Sequence, residues 1–283
     1  MILKFPDSSP KISIIWPTGI SEFSEMLKVF PSAISNLEDF GKKTLFDILK
    51  IKRSNKFKIY KRILVTLIKL QNIKVKKIKN FKKKFYKIPI YSKSLLLEEV
   101  NLFFKWYVPH IFNKKKRFKI NNQLRKVISF LLKEIKLPNN TFVHRDFHVS
   151  NLMLKKKVIS VIDSQDAVYG NIAYDLASLI DDVRLRTSKN MKKMIYKEYF
   201  HLNKKKINIK KFKNDFDILS VLRNLKIIGI FTRLAIRDNK KQYLKLIPHA
   251  WELIELRIKN NYIFKDLKKN LETNFPKKIR IKK

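Results

Sequence analysis

Asp146, Asn151 and Asp163 are the residues whose types and spacing suggest chemistry. Asn151 follows Asp146 by five positions, and Asp163 closes the apolar run Val158-Ile159-Ser160-Val161-Ile162. Phosphoryl transfer from a metal-bound nucleotide needs a carboxylate beside the attacking hydroxyl. It also needs an amide and a second carboxylate to hold magnesium, a hard ion that prefers oxygen. Asp and Asn are common in ordinary turns, but the string His144-Arg145-Asp146 with Asn151 and a strand-terminal Asp163 is more specific than a turn.

The elements that must position these groups are short. Thr141-Phe142-Val143 is a β-favouring run leading into the Asp146 loop. Val158–Ile162 is a second strand, short and apolar enough to be buried. A hairpin turn through Lys155, Lys156 and Lys157 is expected to join the two. Asp146 to Asn151 is then the loop off one strand, Asp163 lies at the tip of the next, and the three side chains converge.

A chain of 283 residues buries a sizeable core as one large domain or two lobes. With 45% hydrophobic and 12% aromatic residues it is globular. It has no cysteine, which excludes disulfides and thiolate metal sites. No charge-free apolar run approaches a membrane span, and the start is too short in its apolar part for a secretory signal. The expectation is a cytoplasmic enzyme, monomeric and without a membrane partner. The net charge of +42 raises the alternative of a nucleic-acid-binding protein. The lysines are spread along the whole chain, however, and with few glycines and prolines they follow the composition that AT-biased codons give. Affinity for nucleic acid is therefore expected to be incidental, with no specific nucleic-acid partner. The densest runs, Lys74 to Lys87 and Lys204 to Lys213, read as solvated helix faces or loops.

In chain order, Met1–Phe5 and Ile12–Trp16 read as strands, Ser21–Phe30 as a helix stopped by Pro31, and Ala33–Leu37 as an extended segment. It runs into Glu38-Asp39-Phe40-Gly41, a hinge-like string whose backbone suits an adenine ring. From Lys43 the pattern is helical: Phe46–Ile51, Tyr60–Gln71, a basic connector over Lys74–Lys84, then Tyr91–Phe112 and Asn121–Ile135. Beyond the Asp163 strand come Ile172–Leu185, Met191–Phe200, Phe216–Arg237 and Lys240–Lys259. The basic tail after Asn274 is expected to fray.

These strings resemble the aminoglycoside-phosphotransferase-like kinases, and within them the kinases of cell-wall amino sugars. The matching segments are Leu37–Gly41, Leu95–Phe103 with Trp106, Phe142–His148, Asn151–Met153, Val161–Asp163, Gln165–Gly170, Tyr174–Leu179 and Leu225–Phe231 with Arg233-Leu234 and Arg237-Asp238. The resemblance implies an α+β, protein-kinase-like two-lobed fold. Residues 1–41 would form a truncated N-terminal nucleotide-binding lobe and hinge, and residues 42–283 a mainly helical catalytic lobe. It implies an ATP- and magnesium-dependent kinase of the anomeric hydroxyl of N-acetylmuramate or N-acetylglucosamine. Alternatives are an aminoglycoside, choline or homoserine kinase, or a weak remnant acting as a binding protein. Asp146 would assist the hydroxyl, Asn151 and Asp163 would hold magnesium, and Glu38, Asp39 and Phe40 would meet the nucleotide. Gln165, Asp166, Asp182 and Glu99, with Trp106 a lesser candidate, would line the sugar pocket; Asp175 and His144 would support the catalytic loop. His148 is expected to be a packed or solvent-facing histidine rather than a metal ligand. The chain departs from the family pattern at Ser164 (a Phe in the family), at Lys105 (an acid), and in lacking a Gly-rich phosphate loop and a clearly placed phosphate-pairing lysine.

Overall fold

The computed structural model describes residues 14–15, 43–51, 55–79, 85–155, 158–203 and 207–281. Of the N-terminal expectations, a strand in Ile12–Trp16 is seen as β1 (Ile14–Ile15). Met1–Phe5, Ser21–Phe30, Ala33–Leu37 and the Glu38-Asp39-Phe40 hinge lie outside the described residues.

The chain is α+β and mainly helical, with small sheets. Helix α1 (Leu45–Ile51) is followed by α2 (Lys56–Gln71). On α2, Ile59, Tyr60, Ile63, Leu64, Leu67 and Leu70 bury one stripe at i, i+3, i+4 spacing. Strands β2 (Lys77–Lys79) and β3 (Phe85–Lys87) pair antiparallel, so the expected basic connector carries a strand. Its lysines from Lys74 to Lys77 and Lys87 are exposed, as the charge pattern implied.

The long helix expected over Tyr91–Phe112 is α3 (Lys93–Leu102), a π-helical turn (Phe103–Tyr107) and α4 (Val108–Ile111). Ser92 caps its start by accepting from the Leu95 amide at 3.1 Å. Helix α5 (Lys114–Lys133) begins earlier than the apolar pattern indicated, because Asn113 caps it, accepting from the Lys116 amide at 3.1 Å. The lysine-rich first turn has good helix propensity but no apolar period to announce it.

Strand β4 (Asn139–Val143) does not pair with the Val158–Ile162 strand as expected. It pairs antiparallel with β7 (Val168–Asn171), with Phe142 opposite Tyr169 and Val143 opposite Val168. The hairpin partner of β6 (Val158–Ile162) is β5 (Leu152–Lys155), and β1 adds in parallel on the other edge of β6. The partner differs from the expectation: Leu152-Met153-Leu154 lies directly after Asn151 and pairs with β6, while Lys156 and Lys157 lie outside the described residues.

The remaining elements are helical: α6 (Tyr174–Ile180), α7 (Lys189–Leu202), α8 (Ile209–Ile236), α9 (Ile247–Ile258), α10 (Lys265–Asn274) and α11 (Lys277–Arg280). Helix α6 is shorter than the Ile172–Leu185 pattern, since the Asp182 carboxylate accepts the Arg184 amide at 2.9 Å and turns the chain. The 28-residue α8 is buried over most of its circumference and is the central post of the fold. It packs on α9, α3, α6 and the π-turn. Asp215 near its start accepts the Lys136 and Leu137 amides and the Asn171 side chain, tying β4 and β7 to it. The expected fraying after Asn274 is not seen through Ile281. Phe275 is fully buried among Phe103, Tyr107, Phe112 and Trp251, and Arg280 lies over the Trp251 ring while paired with Glu255.

Candidate active site

The β4–α6 neighbourhood sets the Asp146 loop. Asp175, in the first turn of α6 and fully buried, accepts the backbone amides of His144 at 2.7 Å and Arg145 at 3.1 Å. Burial pushes its pKa up to about 7 despite those two donors. Arg145 is held with φ 72° and Asp163 with φ 65°. The other non-glycine left-handed positions among the described residues are Asn55 and Asn239, and Asn tolerates that conformation cheaply. At Arg145 and Asp163 the strain is held by surrounding contacts and lies beside Asp146. The Arg145 guanidinium bonds Glu99 and the Asp166 carbonyl and lies over the Tyr91 ring.

Glu99, on α3, is 8% exposed. It takes hydrogen bonds from Arg145, from Tyr91, and from Lys226 on α8 at 2.9 Å. Burial acts to raise its pKa, but the Lys226 and Arg145 charges outweigh burial and lower it. Glu99 thus fastens α3, α8 and the Asp146 loop to one another.

Asp146, Asn151 and Asp163 line one cavity of about 300 Å³, together with His148, Ser150, Arg184, Arg223, Lys226, Ile227, Ile230 and Phe231. Burial would raise the Asp146 pKa; Lys226, Arg223 and the nearby histidines override it and hold it at about 2. Asp163 moves the other way, raised by burial and then by the charges of Asp146 and Asp166. His148 is 4% exposed, and burial, then Arg184 and Arg223, drive its pKa down to about 3. His144 is buried, and its Nε2 lies 3.0 Å from the Ile162 carbonyl, linking the Asp146 loop to the strand that carries Asp163.

The donors suit a hard divalent cation. The Asn151 amide nitrogen donates to the Asp146 carbonyl at 3.1 Å, which leaves the amide oxygen as the group that could ligate. The Asp163 carboxylate is crowded by neighbouring carboxylates, an arrangement that a cation relieves. Among the described residues no group of three or more His, Cys, Asp or Glu forms an all-protein metal cage. Magnesium typically keeps waters and substrate phosphates beside one or two protein ligands.

The sequence-expected residues divide in space. The Asp146, Asn151 and Asp163 side chains come together. Gln165 and Asp166 are exposed and Asp182 is 1% exposed; none of them, nor Glu99 or Trp106, lines this cavity. Asp175 and His144 sit beneath the loop. Lys226, Arg223, Arg184 and His148 were not identified as lining residues. A signal existed for two of them: Arg223 and Lys226 interrupt the apolar run of α8 with a three-residue spacing that puts both on one face.

Residues 64–204 match the model of a phosphotransferase enzyme family. The chain is 33% identical over 166 residues to the N-acetylmuramate/N-acetylglucosamine kinase of Neisseria meningitidis serogroup B, covering 57% of this chain and 50% of that protein. It is 26% identical over 230 residues to the protein of the same name from Pseudomonas aeruginosa, covering 78% and 64%. The chain therefore spans half to under two thirds of the length of these relatives. Solved structures similar in trace include an ADP-bound aminoglycoside phosphotransferase, APH(2'')-Ib, with a TM-score of 0.45 at 15% identity over 77% of this chain and 69% of that one. A choline kinase from Cryptosporidium parvum has a TM-score of 0.47 at 12% identity over 87% and 73%. Among the described residues no helix is long and apolar enough to cross a membrane.

Proposed function

We propose that this chain, which belongs through residues 64–204 to the phosphotransferase enzyme family, transfers the terminal phosphoryl group of ATP to the anomeric hydroxyl of N-acetylmuramate or N-acetylglucosamine. The observation that carries the reading is the convergence of Asp146, Asn151 and Asp163 on one cavity. The relatives' names supply the acceptor class.

In this reading Asn151 and Asp163 hold magnesium. Held there, magnesium would supply charge neutralisation for the nucleotide phosphates. Asp146 accepts a hydrogen bond from the acceptor hydroxyl and fixes its direction. With its pKa near 2 the carboxylate is a weak base. It takes the proton late, once the forming O–P bond has made the hydroxyl acidic, which agrees with a loose transition state. Lys226 places positive charge beside Asp146 and keeps it ionised. Asp175 and Glu99 fix the loop that presents Asp146. The Glu38-Asp39-Phe40 hinge would meet the nucleotide base. Gln165, Asp166 and Asp182 would serve the acceptor only from the cavity's margin.

The test is to incubate the protein with ATP, magnesium and either sugar and look for the sugar 1-phosphate. Asp146→Ala is expected to lower the rate by about 10²- to 10⁴-fold, with circular dichroism showing the variant folded. Equal product from the variant removes the assignment.

A further inference from the structure

Arg223 is 3% exposed, lines the cavity that holds Asp146, and its Nη1 has no hydrogen-bond partner. Among the described residues it makes no ion pair, unlike Lys226, which is bonded to Glu99 at 2.9 Å. Asp146 is near enough to feel its charge, but a buried guanidinium arm without a hydrogen-bond partner is costly unless a ligand anion completes it. Arg184 joins it in the same lining. Its Nη1 also lacks a hydrogen-bond partner, its separation from the Asp182 carboxylate is a loose 3.7 Å, and its guanidinium rests over the Phe231 ring at 5.8 Å.

The lining has two characters. The oxygen donors Asn151 and Asp163 come from the two ends of the β5–β6 hairpin. Arg223, Ile227, Ile230 and Phe231 follow one face of α8 at i, i+4, i+7, i+8 spacing, and Arg184 packs onto the end of that face. A guanidinium fork beside an apolar wall is suited to a planar carboxylate attached to a carbon skeleton. The hairpin side is suited to metal-bound phosphates.

We propose that Arg223 and Arg184 form a carboxylate subsite for the acceptor, so that N-acetylmuramate, which carries a lactyl carboxylate, is preferred over N-acetylglucosamine, which does not. The proposal rests on the sugar-kinase reading above and names which of its two acceptors the cavity selects. The two residues are specificity determinants, distinct from the group that meets the reacting hydroxyl.

The experiment combines binding and turnover. Calorimetric affinities for N-acetylmuramate, its methyl ester and N-acetylglucosamine are measured without nucleotide on the full chain, its R223Q variant and its R223K variant. Steady-state kcat/KM for each sugar is then measured with ATP and magnesium. The expected result is that wild type binds N-acetylmuramate at least about 10-fold more tightly than either uncharged sugar. R223Q should remove most of that gap and R223K should restore part of it, with melting curves showing all three proteins folded. Equal wild-type affinity for the acid and its ester overturns the proposal. A loss in R223Q that is the same for all three sugars, or that appears in the KM for ATP, also overturns it and reassigns the guanidinium to the phosphates. Selective binding without any sugar 1-phosphate would instead sink the kinase reading and leave the carboxylate subsite standing.

Discussion

Gly229 offers a test in which two physical effects predict opposite signs. In the middle of a helix, Gly→Ala ordinarily stabilises by about 1 kcal/mol. Here a Cβ at residue 229 would lie 2.3 Å from the Leu102 carbonyl carbon, 2.4 Å from the Phe103 nitrogen and 2.5 Å from the Leu102 oxygen. All three are backbone atoms at the junction between α3 and the π-turn, so no side chain can swing aside. Ordinary contact begins at 3.4 Å, and α8 must therefore retreat by about 1.1 Å (3.4 less 2.3). Overpacking of this kind costs about 1–3 kcal/mol, and a backbone clash belongs at the upper end. Less the propensity gain, Gly229→Ala is expected to destabilise by about 2 kcal/mol. For a chain of this size that lowers the melting temperature by about 4–8 °C. Lys226 lies one turn away on the same helix and reaches Glu99 at 2.9 Å, so the retreat also draws it from the Asp146 loop. A misplacement near 1 Å costs about 10²-fold in rate. Differential scanning fluorimetry and kcat/KM for sugar phosphorylation read the two effects. An unchanged or raised melting temperature would refute the close-approach argument; a lowered melting temperature with full activity would refute the link from α8 to the site.

Glu99→Gln leaves Arg145 and Lys226 facing each other without their shared anion, and breaking a buried pair in this way costs about 3–5 kcal/mol; chemical denaturation measures it, and a loss under 1 kcal/mol would mean the network is dispensable. Asp175 governs part of the pH dependence. Its folded pKa is raised from 3.8 to about 7, so its contribution to stability is greatest below about pH 4 and declines as pH climbs to about 7, by at most about 4 kcal/mol at 1.36 kcal/mol per pH unit. Asp175→Asn removes that decline, and a wild-type-minus-variant difference that stays constant from pH 4 to 7 contradicts the assignment. Asp146 has the opposite sign: with a folded pKa of about 2, its stabilisation is present above about pH 4 and is lost as pH falls toward 2. Chelation by EDTA is expected to abolish phosphorylation. Asp163→Asn should weaken the apparent magnesium affinity by at least the 10- to 100-fold that losing a mere supporting residue costs, and an unshifted magnesium titration would remove Asp163 from the metal.

The chemistry-bearing triad was legible because its members are close in the chain. Asp146, Asn151 and Asp163 are separated by one loop and one hairpin, so the side-chain types and two apolar runs constrain where they go. The helices from α2 to α9 were legible for a similar local reason, apart from ends set by caps such as Asn113 rather than by apolar period. Strand pairing was not legible. Thr141–Val143 has β-favouring residues, but nothing local says whether its partner is β6 or β7. The choice was decided by Tyr91, whose amide binds the Tyr169 carbonyl at 2.8 Å, and by Asp215, which clamps the chain entering β4 to the end of β7.

What the amino-acid sequence determined by itself is the meeting of Asp146, Asn151 and Asp163 at one cavity, because oxygen-bearing side chains a few residues apart are placed by short-range geometry. What the tertiary structure alone decided is the electrostatic setting of that centre. Lys226 meets Glu99 across 127 positions of chain, Arg223 joins the cavity because α8 runs past it, and Arg184 joins because the turn after α6 packs against Phe231 of that helix. The energies of such encounters depend on burial and on which charges share a dry space, and neither is a property of any segment read alone.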